Sequence, residues 1–212
     1  NAGGPEITHS GDLLLADQYF VDGESFSNTS ALVPTLFQTE HTNSQPAFDY
    51  QIPVPNGNYE VVIHFAEIFW GATGGNAGGV GSRIFDVSIE GTLVLDNYDI
   101  IADVGSETPV AKTFSVTVSD GNLDLNFSAL TATGGVDQAK VSAIEVLVGK
   151  MAPVAVASAT PLNGDIPLAV TFTGDNSTDD AAVVSYLWDF KDGSPTVNIA
   201  DPSHTFTAVG TY

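Results

Sequence analysis

Apolar residues in this chain recur at every second position and nowhere form a long stripe at helical spacing. That restricts the fold to strands with one dry face and one wetter one. Tyr59, Val61, Ile63 and Phe65 share such a face, and Phe85, Val87 and Ile89 alternate with Asp86, Ser88 and Glu90. Phe114, Val116 and Val118 lead into Ser119-Asp120-Gly121-Asn122, a hairpin signal, after which Leu123, Leu125 and Phe127 return. A last strand of this block is expected over Val141 to Val148, with Ile144, Val146 and Val148 buried. Short strands separated by Gly, Pro, Asn and Asp predict an all-β fold, a two-sheet sandwich of the jelly-roll type.

Around Gly149-Lys150-Met151-Ala152-Pro153 this pattern breaks, and a second begins with Val154 and Val156 and continues with Leu168, Val170 and Phe172. Tyr186, Trp188 and Phe190 read as one face of a strand ending at Asp192-Gly193, with Trp188 in the core. A boundary near residue 150 therefore divides residues 1–150 from a small immunoglobulin-like sandwich over 151–212. The sequence starts without Met and stops within a strand-like pattern, and it is read as a piece of a longer polypeptide, its second domain incomplete at the C-terminus. No apolar run reaches the ~18 residues of a membrane-spanning helix, so membrane insertion is not expected.

Charge narrows the partners. With 26 acidic side chains against 5 basic ones and a net charge of -21, the chain cannot neutralise a nucleic acid or settle on an anionic membrane. Copies of it repel, which favours a monomeric module. A hydrophobic content of 43% against 15% charged residues still supports a sizeable core, so the acidity belongs to the surface of a folded protein. The absence of cysteine excludes disulfides, thiolate metal sites and a cysteine nucleophile. An acidic, lysine-poor, cysteine-free composition of this kind points to a bacterial secreted or cell-surface protein.

The candidate site residues are those that suit a sugar, whose C–H faces want a flat aromatic and whose hydroxyls want carboxylates or amides. Phe69 and Trp70 stand between a strand and the loop Gly71–Gly81, in which six residues are glycine. Two large aromatics in succession cannot both enter the core, so they offer a stacking surface, or else one packs inward and the other caps the sandwich. The glycines would wall the cleft and allow close approach of a ligand. Asp137 would accept hydroxyl hydrogen bonds, with Lys140 orienting it or completing a polar rim. Glycosidase chemistry could be drawn through Glu67 with Asp86 or Asp137, but a chain with 26 acids supplies such pairs by chance. The four histidines show no zinc-ligand spacing, His64 reads as structural, and no nucleophile elbow is present. Asp175 to Asp180 looks like the start of a calcium loop yet lacks the glycine and glutamate that such a loop needs at Asp180 and Tyr186.

Several separated stretches resemble a malectin domain, a carbohydrate-binding jelly roll. They are Asn1-Ala2-Gly3-Gly4, Ala16-Asp17-Gln18-Tyr19-Phe20, Phe37-Gln38-Thr39-Glu40, His64-Phe65-Ala66-Glu67-Ile68-Phe69-Trp70, Phe85-Asp86-Val87, Asp96-Asn97-Tyr98-Asp99-Ile100 and Asp137-Gln138-Ala139-Lys140-Val141. From Pro153 onward, Tyr186-Leu187-Trp188-Asp189-Phe190-Lys191-Asp192-Gly193 resembles the hallmark of a PKD domain, with Lys191 where that family usually has glycine. The resemblance implies non-catalytic binding of an oligosaccharide or polysaccharide in an open cleft. It assigns sugar contacts to Phe69, Trp70, Asp137 and the first-loop Tyr19, and puts Thr42 where the family has a contacting tyrosine. It further implies a PKD spacer within a bacterial adhesin or a polysaccharide-degrading protein, and, since some PKD domains bind calcium near the turn at 175–180, Asp179 and Asp180 as calcium candidates. The alternative is a structural or protein-interaction module that has lost sugar binding.

Overall fold

The computed structural model describes residues 1–149, 153–179 and 182–212, which fall into two compact units, Asn1–Gly149 and Lys150–Tyr212. The strands of the first unit are β1 (Ile7–His9), β2 (Asp12–Leu14), β3 (Phe20–Val21), β4 (Glu24–Ser27), β5 (Thr39–Thr42), β6 (Ala47–Pro53), β7 (Gly57–Phe65), β8 (Phe85–Ile89), β9 (Thr92–Tyr98), β10 (Val110–Val118), β11 (Asn122–Ser128), β12 (Lys140–Val141) and β13 (Ala143–Val148). All pairings are antiparallel. A five-stranded sheet runs β3-β6-β11-β8-β9, a three-stranded one β10-β7-β13, and a smaller one β12-β5-β4, with β1 and β2 as a separate hairpin.

The period-two alternation is what packs these sheets. Phe48 and Tyr50 of β6, Leu123, Leu125 and Phe127 of β11, and Phe85, Val87 and Ile89 of β8 turn one face of the large sheet inward against Tyr59, Val61, Ile63 and Phe65 of β7. Phe127 lies opposite Phe48 on one side and Val87 on the other, and the Phe48 and Phe127 rings stack with centroids 4.9 Å apart. A second apolar cluster, with Leu36, Phe37 and Ile68, forms beside this core. The one α-helix among the described residues, α1 (Ile100–Val104), is a single short segment capped by Asp99, whose carboxylate accepts from Ala102 N–H, and ended by Gly105 at φ 86°.

Two expectations for this unit change. The strand expected over Val141 to Val148 is divided at Ser142 into β12 and β13, and Val148 is 80% exposed because it lies opposite Tyr59 at the outer end of β7. Ile144 and Val146 are half-buried and do pack on the core.

The second unit holds β14 (Ser158–Thr160), β15 (Leu168–Thr173) and β16 (Ser203–Phe206) in one sheet, with β15 central. Val170, Phe190 and Phe206 form its core, and Trp188 packs against them, its indole N–H donating to Ile199 O at 3.0 Å. The burial alternation of Tyr186, Trp188 and Phe190 is present, but no strand forms there: the described backbone makes one isolated bridge, Trp188 with Val197. Val154 and Val156 are exposed at the start of the unit.

Truncating Phe127 to alanine would empty the centre of the large sheet where three strands meet, at a cost of about 3–5 kcal/mol. Urea denaturation of Phe127→Ala against the parent chain measures this, and a midpoint unchanged from the parent would contradict the packing described.

Candidate functional site

β7 ends at Phe65, and the chain continues through Ala66, Glu67 and Ile68, all fully buried, before it emerges at Phe69 and Trp70, both half-buried. Glu67 controls that emergence. Its Oε1 accepts from the backbone N–H of Phe69 at 2.9 Å and of Trp70 at 3.1 Å, so the carboxylate fixes the turn that lifts the aromatics out of the core. Its Oε2 accepts from Arg83 Nε at 2.7 Å. Arg83 in turn donates through Nη1 to Gln138 O at 2.6 Å and lies 3.4 Å from Asp137 Oδ2. That same Oδ2 accepts the Trp70 indole N–H at 2.9 Å. Trp70 is thus held at both ends, by Glu67 at its backbone and by Asp137 at its ring, and Arg83 joins the two acids.

The aromatic pair is set edge to face, with centroids 4.8 Å apart, and Phe26 packs edge-on to Phe69 at 5.6 Å. Ser106 Oγ donates to Trp70 O at 2.9 Å. The glycine-rich loop folds back onto the pair through a short bridge, Gly71 N–H to Asn76 O and Asn76 N–H to Phe69 O, each at 2.7 Å. A side chain at Gly75 would strike Phe69 O, and one at Gly78 would meet the Trp70 ring. Gly75 and Gly78 therefore serve contact with the protein's own aromatics, while Gly71, Gly74 and Gly81 take positive φ and a side chain at Gly79 or Gly81 would meet nothing within 4 Å. Glu107 pins the loop from below, accepting from the N–H groups of Thr73 and Leu32.

Beneath the pair lies a group of buried charges. Lys140 is fully buried, paired with Glu40 and donating to Ala66 O, so it is a core cation and not part of a polar rim. Arg83 takes the position by Asp137 that the sequence reading gave to Lys140. Burial pushes the Glu67 carboxyl up, but the charges of Lys140 and Arg83 and its hydrogen bonds outweigh this and hold it below the ordinary carboxylate range. Burial lowers the Arg83 guanidinium, yet Glu67 and Glu40 keep it above its usual value. For Glu40 burial wins over Lys140, and its carboxyl is raised.

Fully enclosed and ion-paired, Glu67 has no access to a substrate and is not a catalytic acid. Asp137 lies at the surface at φ 62°, in the left-handed region, with Oδ1 free of the Trp70 contact. Phe69, Trp70 and Asp137 are brought together. Tyr19 is not placed with them: it is 48% exposed and lines a groove whose lining includes none of the three. Thr42 is buried, its hydroxyl donating to Ala139 O at 2.9 Å. Arg83, the sole arginine, and Glu40 escape a reading by residue type, since isolated charges default to the surface.

These features have a known counterpart. The malectin domain model matches residues 1–144, and the PKD domain model matches residues 150–212. This chain belongs to the malectin domain family. Its malectin domain is 34% identical over 140 residues to a probable LRR receptor-like serine/threonine-protein kinase of Arabidopsis thaliana, an alignment covering 62% of this chain and 14% of that protein. Mouse malectin is 29% identical over 124 residues, 54% of this chain and 40% of that one. Among solved structures the fold resembles the ANX1 ectodomain from Arabidopsis thaliana, with a TM-score of 0.58, 16% identity and coverage of 69% of this chain and 46% of that one. It also resembles a Bacteroides uniformis beta-glucuronidase, with a TM-score of 0.56, 19% identity and coverage of 70% and 17%. The chain spans less than half the length of each, and the two structural likenesses speak to fold alone.

In the second unit, Gly174 and Asp175 donate their N–H groups to Asp201 Oδ1 at 2.9 and 3.3 Å, which ties the start of the turn at 175–179 to Asp201. Asp179 Oδ1 is buried without a hydrogen-bond partner, while Asp180 lies outside the described residues. No cluster of three metal-ligating side chains occurs among the described residues.

Replacing Arg83 with methionine would strand Glu67 and Asp137 beside one another, and breaking a buried pair in this way costs about 3–5 kcal/mol. Acid should act on the same link. The depressed Glu67 carboxyl contributes stability above its unfolded-state pKa, and this is lost as the pH falls through the lower folded-state value. Urea midpoints measured from neutral pH downward should therefore fall for the parent, and fall less for Glu67→Gln. Equal acid sensitivity of the two proteins would remove Glu67 from this role.

Proposed function

We propose that the malectin domain is a non-catalytic carbohydrate-binding module in which Phe69 and Trp70 stack on a sugar ring and Asp137 accepts hydroxyl hydrogen bonds. The observation that carries this reading is the fixed indole: Trp70 is half-exposed, yet its backbone and ring are both hydrogen-bonded, so little freedom is lost when a ring settles on it. The free Oδ1 of Asp137 beside that indole provides an acceptor at the edge of the stacking surface. Similarity to malectin and to receptor kinases supports a ligand-binding role. Glu67 is sealed in the core, and binding chemistry suits the remaining groups better than hydrolysis. Tyr19 lines a separate groove and takes no part in this site.

The malectin domain would present this site from a secreted or cell-surface bacterial protein, with the PKD domain as spacer, and the parent would be an adhesin or a polysaccharide-degrading protein. No helix among the described residues is long and apolar enough to cross a membrane. Affinity for one site should lie in the micromolar to millimolar range, since a solvated sugar exchanges water hydrogen bonds for protein ones. The rival reading, a structural or protein-interaction module, draws on Thr42, which is buried and engaged with Ala139 where the family presents a tyrosine.

A glycan array probed with the whole chain, with Trp70→Ala as control, tests this. A coherent set of glycans bound by the parent, and weakened about tenfold or more in the variant, is the expected result. A blank array from a protein shown to be folded would favour the rival reading.

A further inference from the structure

The sandwich is open along one side. On the large sheet, β3 pairs with β6 only at Tyr50 and Asp49, and Tyr19 O extends the pairing to Gln51 N–H, so Ile52 is left without a neighbour on that edge. On the facing sheet, β13 pairs with β7 alone. Its register fixes which main-chain groups are used. Gly149 N–H bonds Asn58 O, so alternate residues of β13 (Leu147, Glu145, Ala143) exchange hydrogen bonds with β7, and Ile144, Val146 and Val148 turn theirs outward. Those outward groups have no backbone or side-chain partner among the described residues. Natural edge strands are usually protected by lysine, proline or a covering segment. This one reads Ile144-Glu145-Val146-Leu147-Val148, with Leu147 45% and Val148 80% exposed.

Between the two edges lies a groove of ≈ 410 Å³, floored by Ile52, Ile144 and Val146 and walled by Leu13, Leu15 and Tyr19. One end already holds main chain of strand width: Asn1 N donates to Leu15 O at 2.8 Å and Ala2 N–H to Ser142 O at 2.9 Å, which bridges the wall and the start of β13. Its lining residues include Asp12 and Asp17 and the Asn1 amine, and no lysine or arginine, while the Glu145 carboxylate turns away to His64 Nε2 at 2.8 Å. The wall is also held firmly. Tyr19 sits at φ 65°, a costly conformation for an aromatic residue, beside Asp17, whose carboxylate is bonded to His41 Nδ1 and Tyr50 OH, each at 2.7 Å.

We infer that this groove is a second binding site, separate from the Trp70–Asp137 pair, and that it takes an extended peptide with basic residues, which adds to the free edge of β13. Main-chain donors and acceptors recurring about every 7 Å along an edge match a strand and not a sugar. The apolar floor would receive every second side chain, and the negative charge of Asp12 and Asp17 on the wall would favour lysine or arginine at the others.

The test titrates a fluorescein-labelled nine-residue peptide of alternating valine and lysine with the whole chain at 150 mM salt, followed by anisotropy and by amide exchange at Ile144, Val146 and Val148. Two companion peptides carry glutamate in place of lysine, or N-methyl groups that remove the main-chain donors while keeping the charge. Saturable binding of the lysine peptide, slowed exchange at the three amides, and a loss of about tenfold or more in Val146→Pro are expected, with Trp70→Ala unchanged. Val146→Pro removes an outward N–H and leaves the ladder to β7 intact. Absent binding, equal binding of either companion peptide, unchanged exchange, or amides already protected in a self-associated dimer would overturn the inference. Because Trp70→Ala separates the two sites, this result stands independently of the sugar reading.

Discussion

The presentation of Trp70 depends on charges that the fold has removed from water. Glu40, Glu67, Arg83 and Lys140 are all at least 96% buried, beside a hydrophobic core of aliphatic and aromatic side chains. Burying an ion costs several kcal/mol unless it is paired and its other hydrogen-bonding positions are filled. Here Glu67 fills them with two backbone N–H groups and Arg83, while Lys140 uses Glu40 and Ala66 O. A hydrophobic replacement of equal volume could fill the same space. It could not hold a backbone turn, a guanidinium and, through it, a surface carboxylate in one geometry. The charges trade packing simplicity for the placement of two aromatic residues.

The strands were legible because period-two alternation depends only on local geometry, which burial preserves along β6, β7, β8 and β11. It fails at strand ends. Val148 continues the alternation past the point where the opposing sheet covers β13, so the pattern alone cannot show that its side chain is in solvent. Around Trp188 the side chains alternate in burial while the backbone makes a single bridge, because alternation reports which side is dry and not whether a neighbouring strand is present.

The site was legible in part. Phe69, Trp70 and Asp137 carry chemistry that residue type reveals, and the family pattern places them together although 67 residues separate Trp70 from Asp137. Lys140 was misread for a physical reason. A lysine three residues from a surface aspartate belongs at the surface by every local rule, and only a partner 100 residues away, Glu40, makes its burial tolerable. Arg83 was missed for the same reason. Tyr19 shows the reverse case, since its exposure was foreseeable but its side of the domain was set by the tertiary path of the loop after β2.

The same pairings bear on which ligands the surface can accept. The chain has five basic residues, and the four within the described residues are each paired with an acid of the same chain: Arg83 with Glu67, Lys112 with Asp103, Lys140 with Glu40 and, at the surface, Lys191 with Asp189. An anionic glycan or peptide would find no uncommitted cation among them, and Arg83 is buried behind Asp137 and Gln138 O. The aromatic site and the β13 groove are therefore alike in one respect. Each offers apolar surface, acceptors and negative charge, so a neutral or cationic ligand meets a complementary field while an anionic one meets repulsion at both.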